Sequence, residues 1–295
     1  MPEGIMSTEK NTSVIAVGNQ KGGVGKTTNT IQLAAALTER GRLCLIIDLD
    51  MTSGATKALK APTDGWNSSF ELLTGAESAE DTIITNEEEE VKLPPNVHLV
   101  PSSRKLAELD TFLFQNPWVI HQDLLIEPIR CLRGKYDYIF LDTPPQKTKT
   151  TIPALKAADF VILSAMPDHL AVSALGEALQ DIATARKHAN PNIALLGVIA
   201  CAVPRPKTRL ARELVGYVER TCVDPQGKSL KFASEIARSV TIQEAQRLGQ
   251  TIFQYQGDHP VADEYRALAK EVEERIMTLR KAAEQIVVEA KVANA

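Results

Sequence analysis

Cysteine is scarce in this chain. The four that occur, Cys44, Cys131, Cys201 and Cys222, form neither a C-x-x-C pair nor any recurring ligand spacing, so they read as buried or free thiols of a reducing compartment, which weighs against a disulfide framework or a metal cluster. No run approaches the roughly 18 consecutive apolar residues of a membrane span, and the opening MPEGIMSTEK lacks the apolar core of a secretory signal. The expectation is a soluble protein of the cytoplasm. A surplus of positive charge is missing too: the net charge is −4, which argues against a surface coated in cations for nucleic acid. The balance is uneven, however. Between residues 200 and 250 nine Lys and Arg face five Asp and Glu, so that this segment carries +4 and the remainder −8. A local basic patch is compatible with an acidic total.

What is present is enough apolar residue, 44% of 295, to bury one sizeable core. Strand-like apolar runs recur as SVIAVG, LCLIID, NVHLVP, DYIFLD, DFVILSA and IALLGVIA, most of them separated by segments of helical periodicity. Such alternation predicts an α/β fold, a doubly wound and mostly parallel sheet with helices on both faces, whose ligands sit at the carboxyl ends of the strands. The acidic run NEEEE reads as a solvated loop. From Asp263 onward Tyr265, Leu268, Val272, Ile276, Leu279, Ala283, Ile286 and Ala290 recur at spacings of three and four, the stripe of one long helix. Its first half is expected to pack on the sheet and the part beyond Leu279 to form an extension or a tail.

The most specific stretch is NQKGGVGKTT, Asn19 to Thr28, between the run SVIAVG and a helical segment. In a strand–loop–helix of this kind, glycines fold backbone N–H groups around a polyphosphate and the helix N-terminus adds partial positive charge. Lys26 then reaches the outer phosphates, and the Thr27 hydroxyl can bind Mg²⁺. The ligand class is a nucleoside triphosphate. Lys21 is not explained by this, because a cation just ahead of a helix N-terminus is disfavoured unless an anion compensates it. Three carboxylates stand at strand ends: Asp48 and Asp50 in LCLIIDLD, and Asp142 in YDYIFLD. Carboxylates so placed hold Mg²⁺ or its water and orient an attacking water.

The loop Lys21-Gly22-Gly23-Val24-Gly25-Lys26-Thr27-Thr28 resembles the deviant Walker A loop of the ParA/MinD family of P-loop ATPases. The resemblance covers nearly the whole chain, and the stretch from FASEIARSV to YRALAKEV is similar to the ParA branch rather than the MinD branch. It implies ATP and Mg²⁺ as cofactors, an ATP-dependent sandwich homodimer in which Lys21 crosses to the partner's nucleotide, Asp142 as the Walker B carboxylate, Asp50 positioning the hydrolytic water, and Asp48 supporting the metal. It further implies non-specific DNA binding through basic residues after Pro204, with Lys207, Arg209 and Arg238 as candidates, and a ParB-like adaptor that stimulates hydrolysis. The expected role is the positioning of plasmid, chromosome or protein cargo from a nucleoid-associated place in the cytoplasm. Expected organisation is a flexible tail over 1–12, one P-loop ATPase domain over 13–280, and a C-terminal extension over 281–295. Where the family commonly has Pro-Gln-Gly after Asp50, this chain has Met51-Thr52-Ser53-Gly54, and Gln146-Lys147-Thr148-Lys149-Thr150 follows Pro145 where Ser-Leu-Gly is common. Thr241 stands where many members have arginine. A MinD-like membrane anchor is disfavoured, since AAEQIVVEAKVANA has no aromatic residue and its acids balance its lysine. A cluster-bearing electron-transfer ATPase would need a cysteine after the Asp142 strand, and Cys131 precedes it.

Overall fold

The computed structural model describes residues 11–86, 91–168 and 171–293. Residues 1–10 of the expected tail and Glu87 to Glu90 of the acidic run lie outside the described residues. Seven strands form one sheet: β1 (Ser13–Gly18), β2 (Cys44–Asp48), β3 (Val97–Val100), β4 (Tyr138–Asp142), β5 (Phe160–Ala165), β6 (Ala194–Val203) and β7 (Lys231–Ala237). Their order is β3-β2-β4-β1-β5-β6-β7, and every pairing between them is parallel. The first helices are α1 (Lys26–Thr38), α2 (Gly54–Ala58), α3 (Ser69–Thr74), α4 (Leu109–Gln115), α5 (Ile126–Leu132) and α6 (Thr151–Ala157). They are followed by α7 (Ala171–His188), α8 (Arg209–Thr221), α9 (Val240–Arg247), α10 (Ile252–Gln256) and α11 (Pro260–Ala293).

Successive side chains of a strand point to opposite faces, and this divides the core in two. Ile15, Val17, Ile46, Phe140 and Ile162 pack with Ile31, Leu33 and Leu37 of α1 and with Tyr265, Leu268, Val272 and Ile276 of α11. Their neighbours Val14, Ala16, Leu45, Ile47, Ile139, Leu141 and Val161 pack on the other face with Ile129 of α5, Ala154 of α6, and Leu175 and Ile182 of α7. Strands buried on both faces have to be apolar throughout, and six of the seven carry that signature, the half-buried His98 of β3 apart.

The seventh, β7, does not. Its sequence KFASEIA is half polar because the strand closes the sheet, with β6 as its one neighbour. An open edge leaves backbone amides to be covered, and α11 supplies the acceptors. Glu271 accepts from the amides of Ala233 (2.9 Å) and Ser234 (3.2 Å), and Glu264 from that of Ala237 (2.6 Å). Helix α11 starts three residues before Asp263, with Pro260 in its first turn, where a missing N–H costs nothing. The stripe is buried through Ile276, whereas Leu279 is 39% exposed and Ala283 is exposed. At the other terminus Thr12 is buried and its hydroxyl donates to the Tyr136 carbonyl at 2.6 Å.

Candidate functional site

A parallel sheet delivers the carboxyl ends of its strands to one edge, and that edge gathers the residues with chemistry. The loop from Asn19 to Gly25 joins β1, the centre of the sheet, to the N-terminus of α1. Gly23 and Gly25 hold φ of +73° and +85°, a region in which side chains other than glycine are strained. A Cβ on Gly25 would also lie 3.3 Å from the Cys201 sulfur, whose thiol donates to the Val24 carbonyl at 2.9 Å. The loop therefore rests on the end of β6. Gly22 and Gly23 are exposed on its outer side while Val24 is buried beneath.

Lys26 opens α1, is 7% exposed, and donates to the Lys21 carbonyl at 3.1 Å. Burial pushes its pKa down, while Asp142 and Asp50 pull it the other way. The Thr27 hydroxyl donates to Asp142 at 2.7 Å, and the Thr30 hydroxyl to the other oxygen of Asp142 at 3.2 Å. Thr28 meets Gln246 of α9 at 3.3 Å. Lys21 forms an ion pair with Asp168, in the loop after β5, so that within a single chain its ammonium turns back on its own protomer.

Asp48 and Asp142 are directly paired residues of neighbouring strands, and both are fully buried. Burial raises the pKa of each. Mutual repulsion adds to this at Asp142, and the hydrogen bonds from the Thr56 amide (2.9 Å) and hydroxyl (2.8 Å) offset part of it at Asp48. Asp50 lies just past β2, 9% exposed, with one oxygen accepting from the Thr52 amide at 2.8 Å. A hydroxyl and buried carboxylates in want of positive charge are the hard-oxygen donors that Mg²⁺ selects, so the residues present fit that ion.

The basic candidates sit on the same edge of the sheet. Lys207, between β6 and α8, pairs with Glu235 at 2.6 Å, and Glu235 also meets the buried Lys231 at 3.3 Å. Arg209, the first residue of α8, is 89% exposed and pairs with Glu213 one turn on. Arg238 follows β7, is exposed, and has no side-chain partner among the described residues. Lys207 thus serves an internal ion-pair network, whereas Arg209 and Arg238 present charge to solvent. Sequence reading passed over Asp168, although a carboxylate following β5 was open to the argument used for Asp48 and Asp142. It also passed over Cys201, Asn29 and Ser164, whose types carry no signal apart from what they touch.

Three comparisons bear on this arrangement. A family model described as an AAA domain matches residues 12–195. The chromosome-partitioning ATPase Soj of Thermus thermophilus is 32% identical over 262 residues, 89% of this chain and 96% of its own. The sporulation initiation inhibitor protein Soj of Bacillus subtilis is 29% identical over 260 residues, 88% of this chain and 97% of its own. A crystal structure of cobyrinic acid a,c-diamide synthase from Mycobacterium smegmatis, with bound ATP analog and magnesium, superposes with a TM-score of 0.71 at 27% identity. It covers 88% of this chain and 93% of its own.

Proposed function

The chain belongs to the ParA/MinD family of P-loop ATPases, and from that premise we propose that it is a positioning ATPase whose ATP-bound form is a sandwich dimer that holds DNA without sequence preference until a ParB-like adaptor triggers hydrolysis. The observation that carries this reading is the pair of lysines in one loop: Lys26 buried at the start of α1 and Lys21 on the outer turn, beside the carboxylates that end β2 and β4. ATP and Mg²⁺ are the cofactors. The name of the Thermus relative speaks of chromosome partitioning, and the matched structure holds an ATP analog with magnesium.

The division of labour follows from position. Loop amides and Lys26 bind the triphosphate, and Lys26 gives up the Lys21 carbonyl to do so. Thr27 and Asp142, with Asp48 behind them, would hold Mg²⁺, which would supply positive charge against the charge that develops on the phosphates. Asp50, at the rim of the same crevice, orients the attacking water. Lys21 leaves Asp168 and reaches the nucleotide of the second protomer. Residues 13–280 act as one unit in this scheme, the segment beyond 280 is an extension, and the working protein is cytoplasmic and nucleoid-associated. Among the described residues no helix is long and apolar enough to cross a membrane.

Lys21→Ala tests the scheme. Because Lys26 and the loop amides remain, the variant is expected to bind ATP and to lose ATP-dependent dimerisation together with stimulated hydrolysis, a trans cation being worth roughly 10³ to 10⁵ in rate. Light scattering with a non-hydrolysable analogue reads the first effect, and a variant that dimerises normally removes the cross-subunit role. A biosynthetic ligase on this fold has no use for a second lysine, so the same experiment separates the two classes.

A further inference from the structure

Four buried polar side chains, together with the main chain of Ser164, join the long C-terminal helix to the loop, and no step described so far uses them. The Tyr265 hydroxyl, on α11, donates to Asn29 Oδ1 at 2.7 Å. Asn29 Nδ2, on α1, donates to the Ser164 hydroxyl on β5 at 2.9 Å. The Ser164 carbonyl accepts from Asn19 Nδ2 at 2.7 Å, and Asn19 Oδ1 accepts from the backbone amide of Lys21 at 3.0 Å. Tyr265 and Asn29 are each 1% exposed, Ser164 0% and Asn19 6%. We propose that Asn19, Ser164, Asn29 and Tyr265 are positioning residues for Lys21, a relay through which helix α11 fixes the backbone from which the loop lysine reaches out.

The argument rests on how Lys21 is held. Its amide is fixed by Asn19 and its carbonyl by the Lys26 ammonium, 3.1 Å away. When Lys26 turns to phosphate, as the reading above requires, the carbonyl contact is given up and Asn19 remains the anchor of the Lys21 peptide. Asn19 is held by the backbone carbonyl of Ser164 near the end of β5, and Asn29, itself held by Tyr265, binds the hydroxyl of that same residue. Buried hydrogen bonds of this kind select one geometry, because a member left without its partner bears the full desolvation cost. A long side chain that must reach a second molecule amplifies any tilt of its backbone. The relay should therefore matter for reaching the partner far more than for holding nucleotide, which Lys26, Thr27 and the loop amides do.

The proposal rests on the sandwich-dimer reading, and the experiment keeps the two apart. Tyr265→Phe keeps the ring in its apolar surroundings and removes the hydroxyl, while Ser164→Ala removes the acceptor of Asn29 and leaves the backbone carbonyl that binds Asn19. For wild type, both variants and Lys21→Ala, affinity for a fluorescent non-hydrolysable ATP analogue and dimerisation by light scattering are measured on the full-length chain. The expected result is analogue affinity within about twofold of wild type and dimerisation weakened about tenfold, the order of one net buried hydrogen bond. Normal dimerisation by Tyr265→Phe and Ser164→Ala beside a defective Lys21→Ala overturns the relay alone. Equal losses of nucleotide affinity and dimerisation overturn it as well, since they mark general loosening of the loop. A Lys21→Ala protein that dimerises like wild type overturns the sandwich reading and the relay together.

Discussion

Asp48 and Asp142 face each other across β2 and β4, both fully buried, and each is pushed toward its neutral form by burial. Folding gains nothing from two like charges in such a place; a site built for a cation does. Replacing Asp142 by Asn keeps the shape and an acceptor for Thr27 while removing one charge. The nucleotide-free Asp142→Asn protein is therefore expected to melt higher than wild type, at roughly 2–4 °C per kcal/mol gained for domains of this general size, and to lose Mg²⁺-dependent nucleotide binding. Scanning calorimetry and analogue titration with and without Mg²⁺ check both halves. Asp50→Ala should behave differently, because Asp50 lies at the rim and is not tied to Thr27. That variant should still bind ATP and assemble, with turnover down by roughly 10²- to 10⁴-fold; wild-type turnover in a phosphate-release assay would mean that another group orients the water. The places of these residues at one edge of the sheet were legible in the sequence because strand-end carboxylates and a glycine loop are local patterns. Asn19, Asn29 and Ser164 were not, since their partners lie 135 or more positions away for the links that leave the loop, and no spacing rule spans that distance.

Among the elements, β1 to β6 were readable as apolar runs to within a few residues, because a strand buried on both faces has no choice of composition. Strand β7 escaped notice for the opposite reason: its alternate residues meet solvent or ions, and its amides are satisfied by Glu264 and Glu271 from a helix far along the chain. The same helix shows where a periodic stripe stops being a core. Leu268 is fully buried against α1 and the sheet, whereas Leu279, on the same stripe, is 39% exposed. Leu268→Ala is expected to cost about 2–5 kcal/mol of stability, the range for deleting a buried leucine. Leu279→Ala should cost within about 0.5 kcal/mol, as surface substitutions do. Urea unfolding of the two variants decides the matter. A large loss at Leu279 would show that the distal part of α11 is covered in solution.

For the whole molecule the proposed DNA binding raises the question of how an acidic protein would hold an acidic polymer. Affinity for DNA grows with the number of phosphates neutralised, with a slope of about −0.9 per contact on a log–log salt plot. Of the cations on the edge beside the nucleotide loop, Lys207 is bound to Glu235 and Arg205 to Glu264 at 2.9 Å, which leaves the exposed Arg238, and Arg209, whose pairing with Glu213 lies on the surface at 89% exposure, as the candidates. With about three contacts per protomer, counting flanking cations, a two-fold dimer would make about six and show a slope near −5. Binding should accordingly appear with a non-hydrolysable ATP analogue and fade with ADP, at non-specific dissociation constants of order 10⁻⁴ to 10⁻⁶ M at physiological salt. The Arg209→Ala/Arg238→Ala double variant should lose most of this affinity and flatten the slope, while still dimerising. Lys207→Ala is a poorer probe than the sequence suggested, because it strips Glu235 of a partner and disturbs β7 as well as any DNA contact. Fluorescence anisotropy on random-sequence duplex at several salt concentrations, in both nucleotide states, reads all of these effects. Binding that ignores the nucleotide, or that survives the double variant with an unchanged slope, would place the DNA on another surface or remove it from the cycle, leaving a nucleotide switch that grips its cargo through protein alone.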